Sequence, residues 1–300
     1  MLAPIVLFAY NRPYHLYQTL QSLMNNDLAD QSELFIYADG PKENASSIHL
    51  KNISGVRKVI RERQWCKRVN IVESEINKGL ANSITSGVTE IVNKYGKTIV
   101  LEDDLITSPY FLKFMNDGLN FYEKEDKVAS INSYFYPTKR KLPETFFLSW
   151  PDCWGWATWK RSWSLFEPNG RKLLHLIKSQ KLESELNVNN SYDYLGILKN
   201  QISGRNESWA IRWHVSIFLK NKLNLYPGKS LTVNIGHDRT GTHADFEQRF
   251  RMQKFNMQPG KVTNIPLTES GEAILAFRDF FTKSSIYKFH QLFDKIKHSL

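Results

Sequence analysis

Four short runs constrain the fold most: APIVLFAY at 3–10, ELFIYADG at 33–40, RVNIVES at 68–74 and TIVLEDD at 98–104. Each has the length of a strand and stops at a polar or turn residue. The gaps between them carry helical spacing, through Leu16, Leu20 and Leu23 in the first, a basic stretch over 47–65 in the second, and NKGLANSITSGVTEIVNKYG in the third. Compact apolar runs suit strands buried on both faces. Strands alternating with helices argue for an α/β, mostly parallel sheet flanked by helices. In such sheets ligands bind beyond the carboxyl ends of the strands. The sequence sets Asn11-Arg12, Asp39 and the triplet Glu102-Asp103-Asp104 at those ends.

The second half is aromatic and less regular. It holds FFLSWPDCWGWATWKRSW, one or two helices over 172–203, a helix in SWAIRWHVSIFLKNK, a strand in LNLYP and a Gly/Thr-rich loop, NIGHDRTGTHAD. No internal repeat or low-complexity segment interrupts it. Forty basic residues against thirty acidic give a net charge of +10, which points to anionic partners. A nucleic-acid surface would interleave its basic residues with aromatics on one sheet face. Here the basic residues are dispersed and the strands are apolar, so nucleic acid is set aside. The two cysteines, Cys66 and Cys153, form no CxxC pair and suggest neither a disulfide framework nor a zinc site. MLAPIVLFAYNRP has no basic leader and too short an apolar run for a span, so a cytoplasmic protein is the expectation.

Three adjacent carboxylates at the end of a core strand repel one another and lose solvation. Oxygen-rich acidic clusters are what Mg²⁺ and Mn²⁺ require, the ion sharing its sphere between one or two carboxylates and substrate phosphates. On an extended chain, alternation puts Glu102 and Asp104 on one side and Asp103 on the other. The plainer alternative is that Asp103 or Asp104 starts a helix at SPYFLKFM. Lys78 precedes a glycine at a loop-to-helix junction, where backbone N–H groups and a cation favour phosphate. It reads equally as a surface lysine, and Asp39 as a turn residue before Gly40.

VLEDDLITSPYFLKFMNDGLNFYEKEDKVASINSY resembles the acidic segment of nucleotide-sugar glycosyltransferases with the GT-A fold. The resemblance is nearest to the N-acetylglucosaminyltransferase family that extends N-glycans and to its bacterial relatives. It continues in order through APIVLFAYNRP, FIYADGPK, NKGLANSITSGV, PDCWGWATWKRSW, NESWAIRW and LYPGKSLTVNIGHDRTGTH, over about residues 3–245. It implies a GT-A, Rossmann-like sheet with 1–129 as the nucleotide-sugar half, 130–250 as the acceptor and catalytic half of the same domain, and 251–300 as a helical extension. It further implies Asp104 on a Mn²⁺ or Mg²⁺ ion, Glu102 and Asp103 on the donor, Asp39 at the uracil of a UDP-sugar, and Arg12 and Lys78 at the base edge and diphosphate. Inversion is implied by the resemblance, and Glu207 stands where the family carries the base that removes the acceptor proton, with Asp152 as fallback. His243 stands at the closing histidine, and Arg239 would join it on the leaving diphosphate; His237 has no clear counterpart.

Trp150, Trp154, Trp156, Trp159 and Trp163 can stack on sugar rings or pack a core. Most are expected in the core, with Trp154 or Trp156, beside Asp152, lining the acceptor site. The acceptor would be a glycan or lipid-linked saccharide. Phe277, Phe280, Phe281, Ile286, Phe289, Phe293 and Ile296 recur among lysines in the tail. Residues 275–300 read equally as a helix drawn to an anionic membrane surface and as one packing its Phe stripe on the domain. The expected function is metal-dependent sugar transfer, as in polysaccharide biosynthesis at the inner face of a membrane. The alternatives are a sugar nucleotidyltransferase, which would need a glycine-rich basic loop after the first strand where this chain has AYNRPYHL, and a basic binding module without catalysis.

Overall fold

The computed structural model describes residues 1–238, 256–258 and 260–282. The first half runs β1 (Ile5–Ala9), α1 (Pro13–Met24), β2 (Glu33–Ala38), α2 (Ser47–Val59), β3 (Arg68–Glu73), α3 (Leu80–Tyr95), β4 (Lys97–Glu102), β5 (Leu105–Thr107) and α4 (Phe111–Phe121). The second runs β6 (Val128–Asn132), β7 (Thr145–Leu148), β8 (Trp156–Trp159), α5 (Lys160–Trp163), α6 (Gly170–Ser179), α7 (Glu183–Leu186), α8 (Tyr194–Ile202), α9 (Trp209–Phe218), β9 (Leu223–Pro227) and β10 (Thr232–Asn234). Residues 271–282 are helical.

Eight strands form one sheet in the order β3-β2-β1-β4-β8-β6-β9-β7, and β5 and β10 pair separately. The first four are mutually parallel, β8 and β7 run against them, and β6 and β9 run with them. This is the mostly parallel α/β sheet expected from the sequence. Every residue of β1 is buried, which is why its run is apolar throughout. Ile5 and Leu7 join a core with Leu16, Val56 and Leu112 on one face, whereas Val6 and Phe8 join Ile84, Val88, Trp156 and Trp213 on the other. Helices therefore cover both faces. A side chain of this kind contributes about 1.5–3 kcal/mol when fully buried.

The chain leaves β1 to build β2 and β3 on one side, then returns to place β4 on the other. The carboxyl ends of β1 and β4 thus flank the point where strand order reverses, the usual place for a ligand crevice. The division expected at 129/130 falls inside β6, which shares its sheet with β1 and β4. Both halves are layers of one sheet. Where one or two helices were expected over 172–203, three short ones form, because positive φ at Lys181, Val188, Asn189 and Asn190 breaks the path.

The described part of the tail packs inward. Phe277 and Phe281 are buried against Phe135, Phe146, Trp150 and Tyr226. That half of the Phe stripe belongs to the core and is closed to a membrane; Ile286, Phe289, Phe293 and Ile296 lie outside the described residues. Among the described residues no helix is long and apolar enough to cross a membrane.

Candidate nucleotide-sugar site at the strand ends

The triplet does not stay extended. Glu102 ends β4, and Asp103-Asp104 form a turn into β5. Exposure still alternates, Glu102 and Asp104 keeping solvent access while Asp103 is buried. The turn, however, lets one guanidinium reach both aspartates. Arg12 Nη2 donates to Asp103 Oδ1 and, at 2.9 Å, to Asp104 Oδ2. Neither aspartate caps α4, which starts after Tyr110.

Arg12 reaches the turn because Pro13 starts α1 immediately after it, the first helical position being where proline's fixed φ fits and its missing N–H costs nothing. Below Arg12 a polar stripe runs down one side of α1 at spacings of three and four, through His15, Thr19 and Ser22 to Asn26 just past the helix. Thr19 Oγ1 donates to the Asp103 carbonyl at 2.9 Å, Ser22 Oγ accepts from Thr107 N at 3.0 Å, and Asn26 Nδ2 donates to Thr107 Oγ1 at 2.9 Å. The stripe therefore fixes the acidic turn and β5. His15 Nε2 lies 3.0 Å from Asp238 Oδ2.

The opposite wall comes from β10 and the residues after it. Thr232–Asn234 pair with Leu105–Thr107, and Ile235 N donates to the Asp104 carbonyl at 2.9 Å. Gly236 lies directly against Asp104 Oδ2 and Arg12 Nη1, where a Cβ would collide with both. His237 meets the Trp154 ring edge-on at 5.2 Å. Arg239 and His243, expected in this loop, lie outside the described residues.

Electrostatics divide the cluster. Burial opposes the Arg12 charge, but Asp103 and Asp104 outweigh it and raise its pKa. Glu102 is pushed up to about 8, first by burial and then by Asp104 and Asp103. Asp152 is pushed up to about 7 by burial, against the Trp154 N–H and the Tyr136 hydroxyl that favour its charge. Asp152 also acts on Glu102. Both are largely surrounded by protein yet keep some solvent access.

The remaining expected residues fall into three groups. Asp39 Oδ1 accepts from Gly40 N and Lys78 N at 2.9 Å, and Oδ2 accepts from Gly79 N and Asn77 Nδ2 at 3.0 Å. That fills the four lone-pair positions of a carboxylate. Asp39 therefore ties β2 to the 77–79 turn that opens α3 and fixes the loop. Lys78 is exposed on that turn, with no ion pair among the described residues. Gly79 has φ of 77°, the left-handed region that suits glycine, and its missing Cβ would stand 3.5 Å from Glu207 Oε2. The exposed Glu207, far along the chain, thus meets the loop that Asp39 builds. Ser208 beside it caps α9 by accepting from Ile211 N at 3.2 Å.

Trp156 is the correction among the tryptophans. It is fully buried and packs on Trp163, Trp209 and Trp213 with centroids 5.4–5.8 Å apart, out of reach of an acceptor. Trp150, Trp159 and Trp163 are buried as expected. Trp154 is half-buried, its ring on Tyr134 at 4.6 Å, and its backbone N–H donates to Asp152 Oδ1 at 2.8 Å. Sequence reading missed the α1 stripe, the His15–Asp238 pair and the Tyr136 partner of Asp152. The three-and-four spacing of the stripe was the available signal.

No known family model matches the chain, and no curated protein does. Among solved structures it is similar to UDP-glucose pyrophosphorylase complexed with UDP-glucose, at 12% identity and a TM-score of 0.38, over 75% of this chain and 90% of that one. It is also similar to residues 1–349 of S. aureus TarS in complex with UDP, at 13% identity and a TM-score of 0.30, over 48% of this chain and 38% of that one. Mouse xyloside xylosyltransferase 1 in its apo form matches at 12% identity and a TM-score of 0.27, over 45% of this chain and 53% of that one. The match spans 23% of the longer TarS chain. None of these overlaps is tight enough to transfer a residue role.

Proposed function

We propose that the chain is a metal-dependent glycosyltransferase, moving a sugar with inversion from a nucleotide-diphosphate donor, of which a UDP-sugar is the reading we test first, to a glycan or lipid-linked saccharide. The observation that carries this reading is the meeting of Arg12, Asp103 and Asp104 where the strand order reverses between β1 and β4. A nucleotidyltransferase is disfavoured because β1 runs through Asn11-Arg12 into Pro13 with no glycine-rich loop.

The donor set fits a hard divalent ion. Asp104 uses one oxygen for Arg12, and nothing among the described residues donates to the other. No group of three His, Cys, Asp or Glu is gathered among the described residues. Mg²⁺ and Mn²⁺ at such sites complete their shells with substrate phosphate and water. Asp104 would hold the ion, which when bound supplies positive charge to the leaving diphosphate.

The chain's own residues supply the rest. Lys78 and the first-turn N–H groups of α3 face the diphosphate, on the loop that Asp39 fixes, and Glu102 takes a donor hydroxyl. Trp154 stacks on an acceptor ring, with Asp152 accepting from its hydroxyls. Glu207, at the Gly79 edge, removes the proton from the attacking hydroxyl.

Thermal stability tests this directly. UDP with Mn²⁺ should raise the Tm of the wild-type chain and not of Asp104→Asn, and a donor screen should show Mn²⁺-dependent hydrolysis of one nucleotide-sugar. No shift with any nucleoside diphosphate would remove the proposal. Pyrophosphate release from a nucleoside triphosphate and a sugar 1-phosphate would replace it with nucleotidyl transfer.

A further inference from the structure

Arg12 does something in this site that an ordinary phosphate-binding arginine does not. Its guanidinium already bridges the two aspartates, and its side chain is only 17% exposed. The two partners differ. Asp103 is buried, its other oxygen takes the Tyr10 N–H at 3.5 Å, and its carbonyl is held by Thr19. Asp103 is thus a fixed anchor. Asp104 gives Arg12 one oxygen, receives no donor among the described residues on the other, and has Gly236 pressed against the side where Arg12 approaches. The guanidinium can leave Asp104 without leaving Asp103.

We infer that Arg12 is a resident counter-cation, closing Asp104 to a divalent ion that arrives alone and releasing it when a diphosphate arrives with the ion. The inference rests on the glycosyltransferase reading for the identity of the incoming anion. Its physics is charge balance. Asp103, Asp104 and Arg12 together carry one net negative charge. A lone divalent ion beside Arg12 places like charges together at short range, where partial burial keeps screening weak. A diphosphate reverses the balance and offers the guanidinium a bidentate partner as good as the carboxylates. Ion and nucleotide should therefore assist one another, and by linkage each should raise the other's affinity by the same factor. Arg12 is the residue that sets this factor.

The test is Mn²⁺ binding, read by electron paramagnetic resonance of the free ion, on wild type and Arg12→Gln, each with and without UDP. Arg12→Gln should bind Mn²⁺ alone at least about tenfold tighter than wild type, because a unit charge beside the ion is removed. The factor by which UDP tightens Mn²⁺ binding should shrink in the same variant. If Arg12→Gln does not fold, Arg12→Lys serves, since its shorter ammonium can stay on Asp103 while leaving Asp104; Mn²⁺ alone should then bind several-fold tighter than in wild type. Unchanged or weaker Mn²⁺-alone affinity in the folded variant overturns the inference, as does a wild-type chain that binds UDP and yet binds Mn²⁺ equally well with and without it. Failure of UDP to bind any of the proteins, with Mn²⁺-alone affinity still raised by the substitution, would instead remove the nucleotide-sugar reading.

Discussion

The acidic turn after β4 and the tryptophan segment around β8 are sheet neighbours, with Lys97–Val100 hydrogen-bonded to Trp156–Trp159. Both are dense in residue types that bind sugars and nucleotides. In the first, polar side chains are gathered by partners far away in sequence: Arg12 from the end of β1, Thr19 from α1, Ile235 from beyond β10. In the second, Trp156 disappears into a stack with Trp163, Trp209 and Trp213, whereas Trp154, two residues earlier, stays half-buried against Tyr134. A site and a core can be written in the same residues; what separates Trp154 from Trp156 is the turn of the backbone at Gly155, just before β8 begins.

The comparison breaks first at Trp156. Trp156→Ala should cost about 3–5 kcal/mol of stability by chemical denaturation, whereas Trp154→Ala should cost clearly less and act on acceptor use. Equal losses would mean that the two tryptophans share one role. Asp39→Ala comes next: it strips partners from four N–H groups, so a loss of about 1–3 kcal/mol together with weakened nucleotide binding is expected.

A smaller effect follows from the two raised carboxyls. Glu102 is raised to about 8 by burial and its acidic neighbours, and Asp152 to about 7 by burial. A carboxyl so raised binds its proton more tightly folded than unfolded. Its contribution is full below the ordinary carboxylate range and is lost as pH rises through the folded value. The ligand-free Tm should therefore fall between about pH 5 and about pH 8 from these groups, and Glu102→Gln should flatten the profile. A profile that rises over that interval in wild type, or one unaltered by the substitution, would contradict this account. The smallest stability change belongs to Asp104→Asn, within about 1 kcal/mol because Arg12 keeps Asp103. Nucleotide and ion binding should nonetheless be lost in that variant, which sharpens the contrast between a residue that holds the fold and one that serves the cleft.

Much of the first half was readable in the chain. Strands buried on both faces need unbroken apolar runs, so β1 and β4 announced themselves, and their polar endings fell on one edge because the strands are parallel. What could not be read was commitment. Asp39 before a glycine looks the same whether it faces a ligand or holds Asn77, Lys78 and Gly79, since its partners are some forty residues on. The stripe from Arg12 to Asn26 was masked by the leucines of α1, which follow it residue by residue at the same three-and-four spacing. Trp154 and Trp156 differ by two positions, which strand alternation would put on one face; Gly155, at φ of 84°, turns the chain between them. In the tail, Phe277 and Phe281 went to the core for the same reason that they suggested a membrane: an apolar stripe fits either.

The pairing of β5 with β10 has a consequence for how the protein comes to exist. The acidic turn is translated early, but its far wall, from Thr232 through Gly236, is among the later segments to emerge. Closing so large a loop is entropically expensive and kinetically late. A nascent chain can therefore complete β1 to β4 and still hold an open, half-walled set of carboxylates. The wall of the acidic turn is complete only when β10 docks on β5, so a chain cut before Thr232 would leave those carboxylates half-walled.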